Sequence, residues 1–253
     1  MIEIRNLEKS FGDSKVLKGV SSVFETGKTN LIIGQSGSGK TVLLKSLLGI
    51  HSPDSGTICF DGRIYSDLDT SEKRELRTEI GMVFQGSALF DSMTVSENVG
   101  FPLKMFTNDD NAKIQERVDF VLKRVNLVDA HHKLPSEISG GMQKRVAIAR
   151  AIVNNPKYLF CDEPNSGLDP NTAILIDNLI MEITEEYNIT TVINTHDMNS
   201  VMEIGENILF LKNGIKEWEG TKEDIFRTDN AAIVDFVYSS KLFRKVREAY
   251  LKE

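Results

Sequence analysis

The chain has 253 residues and a mass of 28.3 kDa, which at about 150 residues per domain allows one large domain or two small ones. Forty per cent hydrophobic and 26% charged residues permit a sizeable core and exclude wholesale disorder. Thirty Lys and Arg against 37 Asp and Glu give a net charge of -7, the reverse of what a broad grip on phosphate backbone needs, so no nucleic-acid partner is expected. A single small anion is still allowed, because backbone amides can supply its field.

In chain order, MIEIRNL and SSVFE read as strands with alternating faces. TNLIIG is a compact apolar strand that runs through a Gly/Ser loop into KTVLLKSLLGI, whose leucines recur at helical spacing. PDSG and DG bracket TICF as a short hairpin strand. IGMVF is the next strand, and FQGSALFDSMTVSENV after it has no clear period. Between Ala112 and Leu127, Ile114, Val118, Val121, Leu122 and Val125 mark an amphipathic helix, and a second helix follows Ser139. KYLFCD is a fully apolar strand of the buried parallel type. Helix Thr172–Tyr187, strand TTVIN, helix Met198–Gly205 and strand NILFLK follow, and IKEWEG reads as an edge strand. The expectation is an α/β chain with a helical subdomain at about residues 87–156 inserted into a parallel-sheet core.

Cys59 and Cys161 sit in apolar stretches and read as small core residues in a reducing compartment. The N-terminus lacks the apolar core of a signal peptide, and no apolar run approaches the ~20 residues needed to cross a bilayer. A soluble intracellular protein is expected, reaching any membrane through a partner. His131-His132 has no acid or Cys nearby at metal spacing and reads as a solvated loop.

Gly34-Gln35-Ser36-Gly37-Ser38-Gly39-Lys40-Thr41 fits the P-loop pattern GxxxxGK[ST], with the required strand before it and helix after it. Its glycines let consecutive N–H groups turn inward around a phosphate, and the helix N-terminus adds partial positive charge. Lys40 can reach the terminal phosphates and the Thr41 hydroxyl can ligate Mg²⁺. The alternative is a plain glycine-rich turn. A second element, Lys157-Tyr-Leu-Phe-Cys-Asp162-Glu163, places two acids at the carboxyl end of a buried strand, where ligands of parallel sheets bind. Asp162 suits the Mg²⁺ shell, and Glu163 suits a base that orients or deprotonates water in line with a γ-phosphate. Taken alone, Asp-Glu-Pro could equally cap a turn.

Ile138-Ser139-Gly140-Gly141-Met142-Gln143-Lys144-Arg145, followed by VAIARAI, resembles the LSGGQ signature of ATP-binding-cassette (ABC) proteins, with Met142 where the signature has Gln. A Ser and two Gly at a helix N-terminus make a second anion nest, although they could also be only an N-cap with flexible glycines. The resemblance covers residues 2 to about 236 and implies further roles. Phe11 falls where an aromatic stacks on adenine, with a turn or core Phe as the competing reading, and Val16 lines the same pocket. Gln85 matches the Q-loop glutamine, a Mg²⁺ and γ-phosphate sensor that couples to a membrane partner. Ser166-Gly-Leu-Asp169 matches the D-loop, and His196 the switch histidine.

The resemblance therefore implies a P-loop NTPase (RecA-like) parallel-sheet core with an antiparallel β subdomain in an ABC ATPase domain of residues 1–236, followed by a C-terminal helical extension, 237–253. It implies ATP and Mg²⁺ as ligands, Ser139, Gly140 and Gly141 capping the ATP of a second copy, a transmembrane permease, and a peripheral place on the inner membrane. The segment from Ser87 to Pro102 and the Met142 variant are most similar to the ATPase of Mla-type phospholipid transporters, which also contain an Mce-domain lipid-binding protein. Importers of small solutes share most of this pattern. A non-transport ABC ATPase of DNA repair, chromosome maintenance or translation is opposed by the single cassette and acidic composition. A P-loop GTPase or kinase is opposed by the signature and by the lack of NKxD. In residues 240–252, Leu242, Phe243, Val246, Ala249 and Tyr250 share one helical face and basic residues the other, so this helix is expected to dock on a partner or pack on its own domain.

Overall fold

The structure is a computed structural model that describes residues 1–239 and 241–250, and the side chains of Lys241 and Leu242 lie outside that description. The chain divides into two compact units, Met1–Leu68 with Val192–Glu253, and Asp69–Thr191. The first unit opens with a hairpin of β1 (Ile2–Phe11) and β2 (Ser14–Phe24), closed with Phe11 opposite Ser14. Ile2, Ile4 and Leu7 on one strand and Leu17, Val20 and Phe24 on the other are buried, the alternation of a half-covered sheet being interrupted by register shifts on either side of Leu7. All five residues of β3 (Thr29–Ile33) are buried, and the P-loop leads from it into α1 (Lys40–Leu47). Strands β4 (Ser55–Phe60) and β5 (Arg63–Ile64) complete an antiparallel sheet in the order β2-β1-β4-β5.

The second unit begins with α2 (Thr70–Thr78), a helix the sequence pattern does not announce. Only Leu76 is buried in it, so no apolar stripe exists, and a reciprocal Asp69–Glu72 capping box starts it instead. Strand β6 (Ile80–Val83) runs parallel to β7 (Tyr158–Asp162). Between them lie α3 (Val95–Phe106), α4 (Asn111–Arg124) and α5 (Gly140–Ile152), inside the stretch expected to be helical. The expected face of α4 is the buried one, through Ile114, Val118, Val121 and Leu122. Helix α6 (Pro170–Glu186) follows, and the unit ends on Thr190 and Thr191, the first residues of β8 (Thr190–Asn194).

The chain returns to the first unit with the rest of β8, then α7 (Met198–Ile204), β9 (Asn207–Lys212) and β10 (Ile215–Gly220). There β9 pairs in parallel with β3, and β10 covers the free edge of β9 antiparallel, as an edge strand should. Two short helices absent from the expectation, α8 (Lys222–Arg227) and α9 (Ala231–Val237), are too brief to show a period and are set by their caps, Thr221 and Asn230.

Helix α10 (Lys241–Tyr250) packs on its own unit. Tyr250 stacks on Phe226 with ring centroids 4.7 Å apart, and Arg247 donates from Nη2 to the Thr228 carbonyl at 2.7 Å. The expected division of faces is thus corrected: Arg247 and Tyr250 both turn inward, whereas Val246 is 42% exposed. The carbonyls of Phe226 and Thr228, at the end of α8, accept from the guanidinium and draw it inward. Among the described residues no helix is long and apolar enough to cross a membrane. Cys161 is buried, and its thiol pKa is pushed up by burial, whereas Cys59 is only half-buried. His131 does find an acid: Asp119 of α4 lies 3.0 Å from its Nε2, supplied by the fold and not by local spacing.

Candidate nucleotide site

In the first unit the P-loop conformation is built from glycine. Gly34, Gly37 and Gly39 have φ of 150°, 78° and 106°, values that L side chains rarely adopt. At Gly34 a Cβ would stand 2.3 Å from the Leu211 carbonyl oxygen and 2.7 Å from Ser38 Oγ, so the backbone fits there only bare. The loop is laced to the β9–β10 turn by Gly214 N–H donating to the Ser38 carbonyl at 3.1 Å. Lys40 is buried and donates from Nζ to the Gly34 carbonyl at 2.8 Å and the Gln35 carbonyl at 3.1 Å. Its ammonium is therefore held directly over the loop whose amides would carry phosphate. The Ser38 hydroxyl is buried and makes no hydrogen bond among the described residues, an orphaned donor of the kind a phosphate oxygen satisfies.

Thr41, the second residue of α1, accepts from Asn194 Nδ2 at 3.4 Å, which joins the P-loop helix to the end of β8. His196 stands exposed just beyond that strand, after Thr195 has bonded back to the Ile32 carbonyl of β3 at 3.1 Å. Phe11 is 45% exposed, which removes the core reading. Its ring meets His51 edge-on at 5.2 Å and has Lys9 Nζ 5.4 Å from its centroid. Val16 lies against the P-loop: a Cβ on Gly39 would touch its carbonyl oxygen at 3.3 Å.

In the second unit, Asp162 ends β7 and Glu163 follows in a left-handed conformation, φ 47°, uncommon for a non-glycine residue. Gln85, just past β6, donates from Nε2 to Glu163 Oε2 at 2.9 Å. The Glu163 carboxylate is thereby oriented by the Gln85 amide. Ser139 is the N-cap of α5, accepting from the Met142 N–H at 3.3 Å, and Ser139 and Gly140 are exposed. A Cβ on Gly141 would come within 2.8 Å of the Thr172 methyl, so the second glycine of the signature is required by packing against α6. Asp169 caps α6 through the Thr172 N–H at 3.1 Å, and hydrogen bonds from Thr172 hold its carboxyl below the usual range.

Three residues that sequence reasoning gave no role organise the loop after β6. Lys144 of α5 donates to the Gln85 carbonyl, and Arg150 donates to the Ser87 and Ala88 carbonyls at 2.7 and 2.8 Å. Asn98, fully buried on α3, accepts from the Phe90 N–H at 2.8 Å and donates to the Phe90, Met93 and Thr94 carbonyls. The available signal was polarity out of place, because these side chains interrupt helix faces that are otherwise apolar.

A strand–glycine loop–helix with a buried lysine over the loop defines a P-loop nucleotide-binding protein. Residues 17–166 match the ABC transporter family, and the chain belongs to it. It is 36% identical over 241 residues to the probable ribonucleotide transport ATP-binding protein mkl of Mycobacterium leprae, covering 95% of this chain and 70% of that one. It is 42% identical over 229 residues to the methionine import ATP-binding protein MetN of Carboxydothermus hydrogenoformans, covering 89% and 68%. Among solved structures it is similar to the dimeric, post-hydrolysis ATP-binding cassette MJ0796 bound to ADP and Pi, with TM-score 0.78, 35% identity and coverage of 88% and 99%. The chain is thus an ATPase with the α/β P-loop fold expected from its sequence.

Proposed function

We propose that this ATPase energises phospholipid movement through a partner permease, as one of two identical cassettes that close on ATP. The observation that carries the permease is a groove of about 470 Å³ in the second unit, whose walls include Met82, Phe84, Phe90, Phe101, Pro102 and Met105. Phe84, Phe90 and Met105 are exposed large hydrophobics, a cluster that soluble surfaces seldom leave uncovered. The groove adjoins the loop carrying Gln85, so its occupant touches the segment that aims Glu163. An apolar helix end of a membrane protein is the occupant proposed.

In this reading the P-loop and Lys40 bind the triphosphate, and Thr41, Asp162 and the Gln85 amide supply the oxygen ligands that suit Mg²⁺. Mg²⁺ would neutralise charge on the β- and γ-phosphates. Glu163 accepts a proton from the attacking water, His196 donates to the γ-phosphate, and Phe11 stacks on adenine beside Val16. Exposed Ser139 and Gly140 present N–H groups to the ATP of a second copy, with Asp169 beside them. An Mce-domain lipid carrier completes the assembly.

Identity to a relative named for methionine import favours a second reading, a small-solute importer. The test is reconstitution with a partner permease, reading phosphate release with phospholipid or with methionine supplied. Stimulation by phospholipid and not by methionine is expected. The opposite pattern would replace the lipid reading, and loss of complex with Phe90→Asp would confirm the groove as the contact.

A further inference from the structure

We infer that Lys144 and Arg150, both on α5, are positioning residues for hydrolysis, which clasp the backbone of residues 85–88 and so keep the Gln85 side chain on Glu163. The inference rests on the proposed roles of Glu163 and Gln85. Beyond Val83 the chain leaves β6, and Ser87 and Ala88 take φ of 61° and 48° in succession. Two consecutive non-glycine residues in the left-handed region persist only where the surroundings over-determine them. Locally the segment is closed by the Ser87 N–H donating to the Phe84 carbonyl at 2.9 Å.

The rest comes from α5. The Lys144 ammonium, 5% exposed, donates to the Gln85 carbonyl. The two Nη atoms of Arg150 span the next two carbonyls, Ser87 at 2.7 Å and Ala88 at 2.8 Å, which suits a rigid fork and not a point charge. Residue 85 is thus held at both ends, by Lys144 at its carbonyl and by Glu163 at its amide. Because Arg150 and Ala88 also line the apolar groove, whatever fills that groove touches the clasp. Because α5 begins at the signature, the clasp also ties signature to Q-loop.

The test uses the full chain and two readouts: hydrogen exchange of the 84–92 peptide, and kcat and KM for ATP. Arg150→Met should speed exchange of that peptide and lower kcat about tenfold with KM within about twofold, because aiming and not binding is lost. Arg150→Lys should be intermediate, and Lys144→Arg should stay near the wild type while Lys144→Met does not. In a Gln85→Ala background, Arg150→Met should lower kcat by less than about twofold further, since its route to Glu163 is already cut. An equal loss in both backgrounds would assign Arg150 a merely structural role, and unchanged exchange would overturn the clasp. Should Arg150→Met not fold, wild-type exchange and kcat in Arg150→Lys would overturn the inference. Wild-type kcat in Gln85→Ala alone would reject the role of Gln85 and the positioning claim with it, while exchange would still report on the clasp separately.

Discussion

Two loops do comparable work and are built in opposite ways. Each follows a strand, β3 or β6, and each holds backbone in the left-handed region. The P-loop does so with Gly34, Gly37 and Gly39, so its conformation is written in its own eight residues. The loop after β6 uses Ser87 and Ala88 instead and depends on Lys144, Arg150 and Asn98, which lie up to 63 positions away. A loop fixed by its own glycines is ready-made for any ligand of the right charge. A loop fixed by distant side chains is conditional on the helices that carry them, and is therefore suited to report on what touches those helices.

Substitutions at these positions can break or sharpen that contrast. Gly34→Ala forces a Cβ into the Leu211 carbonyl, so a loss of about 3 kcal/mol or more in unfolding free energy is expected, read from denaturant midpoints. Asn98→Ala removes the side-chain partner of the Phe90 N–H and of the Met93 carbonyl, while the Phe90 and Thr94 carbonyls keep the backbone N–H groups of Met93 and Asn98. About 2–3 kcal/mol should be lost, mostly within the second unit, and exchange of residues 88–94 should quicken. Ala88→Gly should have the smallest effect and the opposite sign. Relief of the left-handed alanine outweighs the added unfolded-state entropy by about 0.5 kcal/mol, visible as a slightly higher melting temperature. A destabilising Ala88→Gly would show that the segment is not strained and would erase the contrast between the loops.

The contrast also explains what could be read from the sequence. The P-loop, the Asp162–Glu163 strand end and the signature were legible, because each is a short run in which composition and conformation coincide. Gly34 and Gly141 are glycine for reasons visible in the packing, and a pattern of glycines carries that information linearly. The strands β3 and β7 were legible as compact apolar runs, and β8 as a strand in the repeating strand–helix pattern. Helix α2 was not, because a capping box starts it and only Leu76 is buried. Helix α10 was legible as a helix but not in its orientation. The apolar stripe suggested one face, whereas carbonyls at Phe226 and Thr228 drew Arg247 inward. The Q-loop clasp was not legible either, since no local spacing connects residue 85 with 144 and 150.

The most direct test of the whole account is phosphate release by purified chain with saturating Mg²⁺-ATP, wild type against Glu163→Gln, with bound nucleotide measured on the same samples. The amide keeps the shape of the carboxylate and its contact with Gln85 but cannot accept a proton, so turnover should fall by about 10²–10⁴-fold while ATP stays bound. Near-wild-type turnover by Glu163→Gln would contradict the account, because it would leave the residue aimed by the Q-loop without a part in the chemistry.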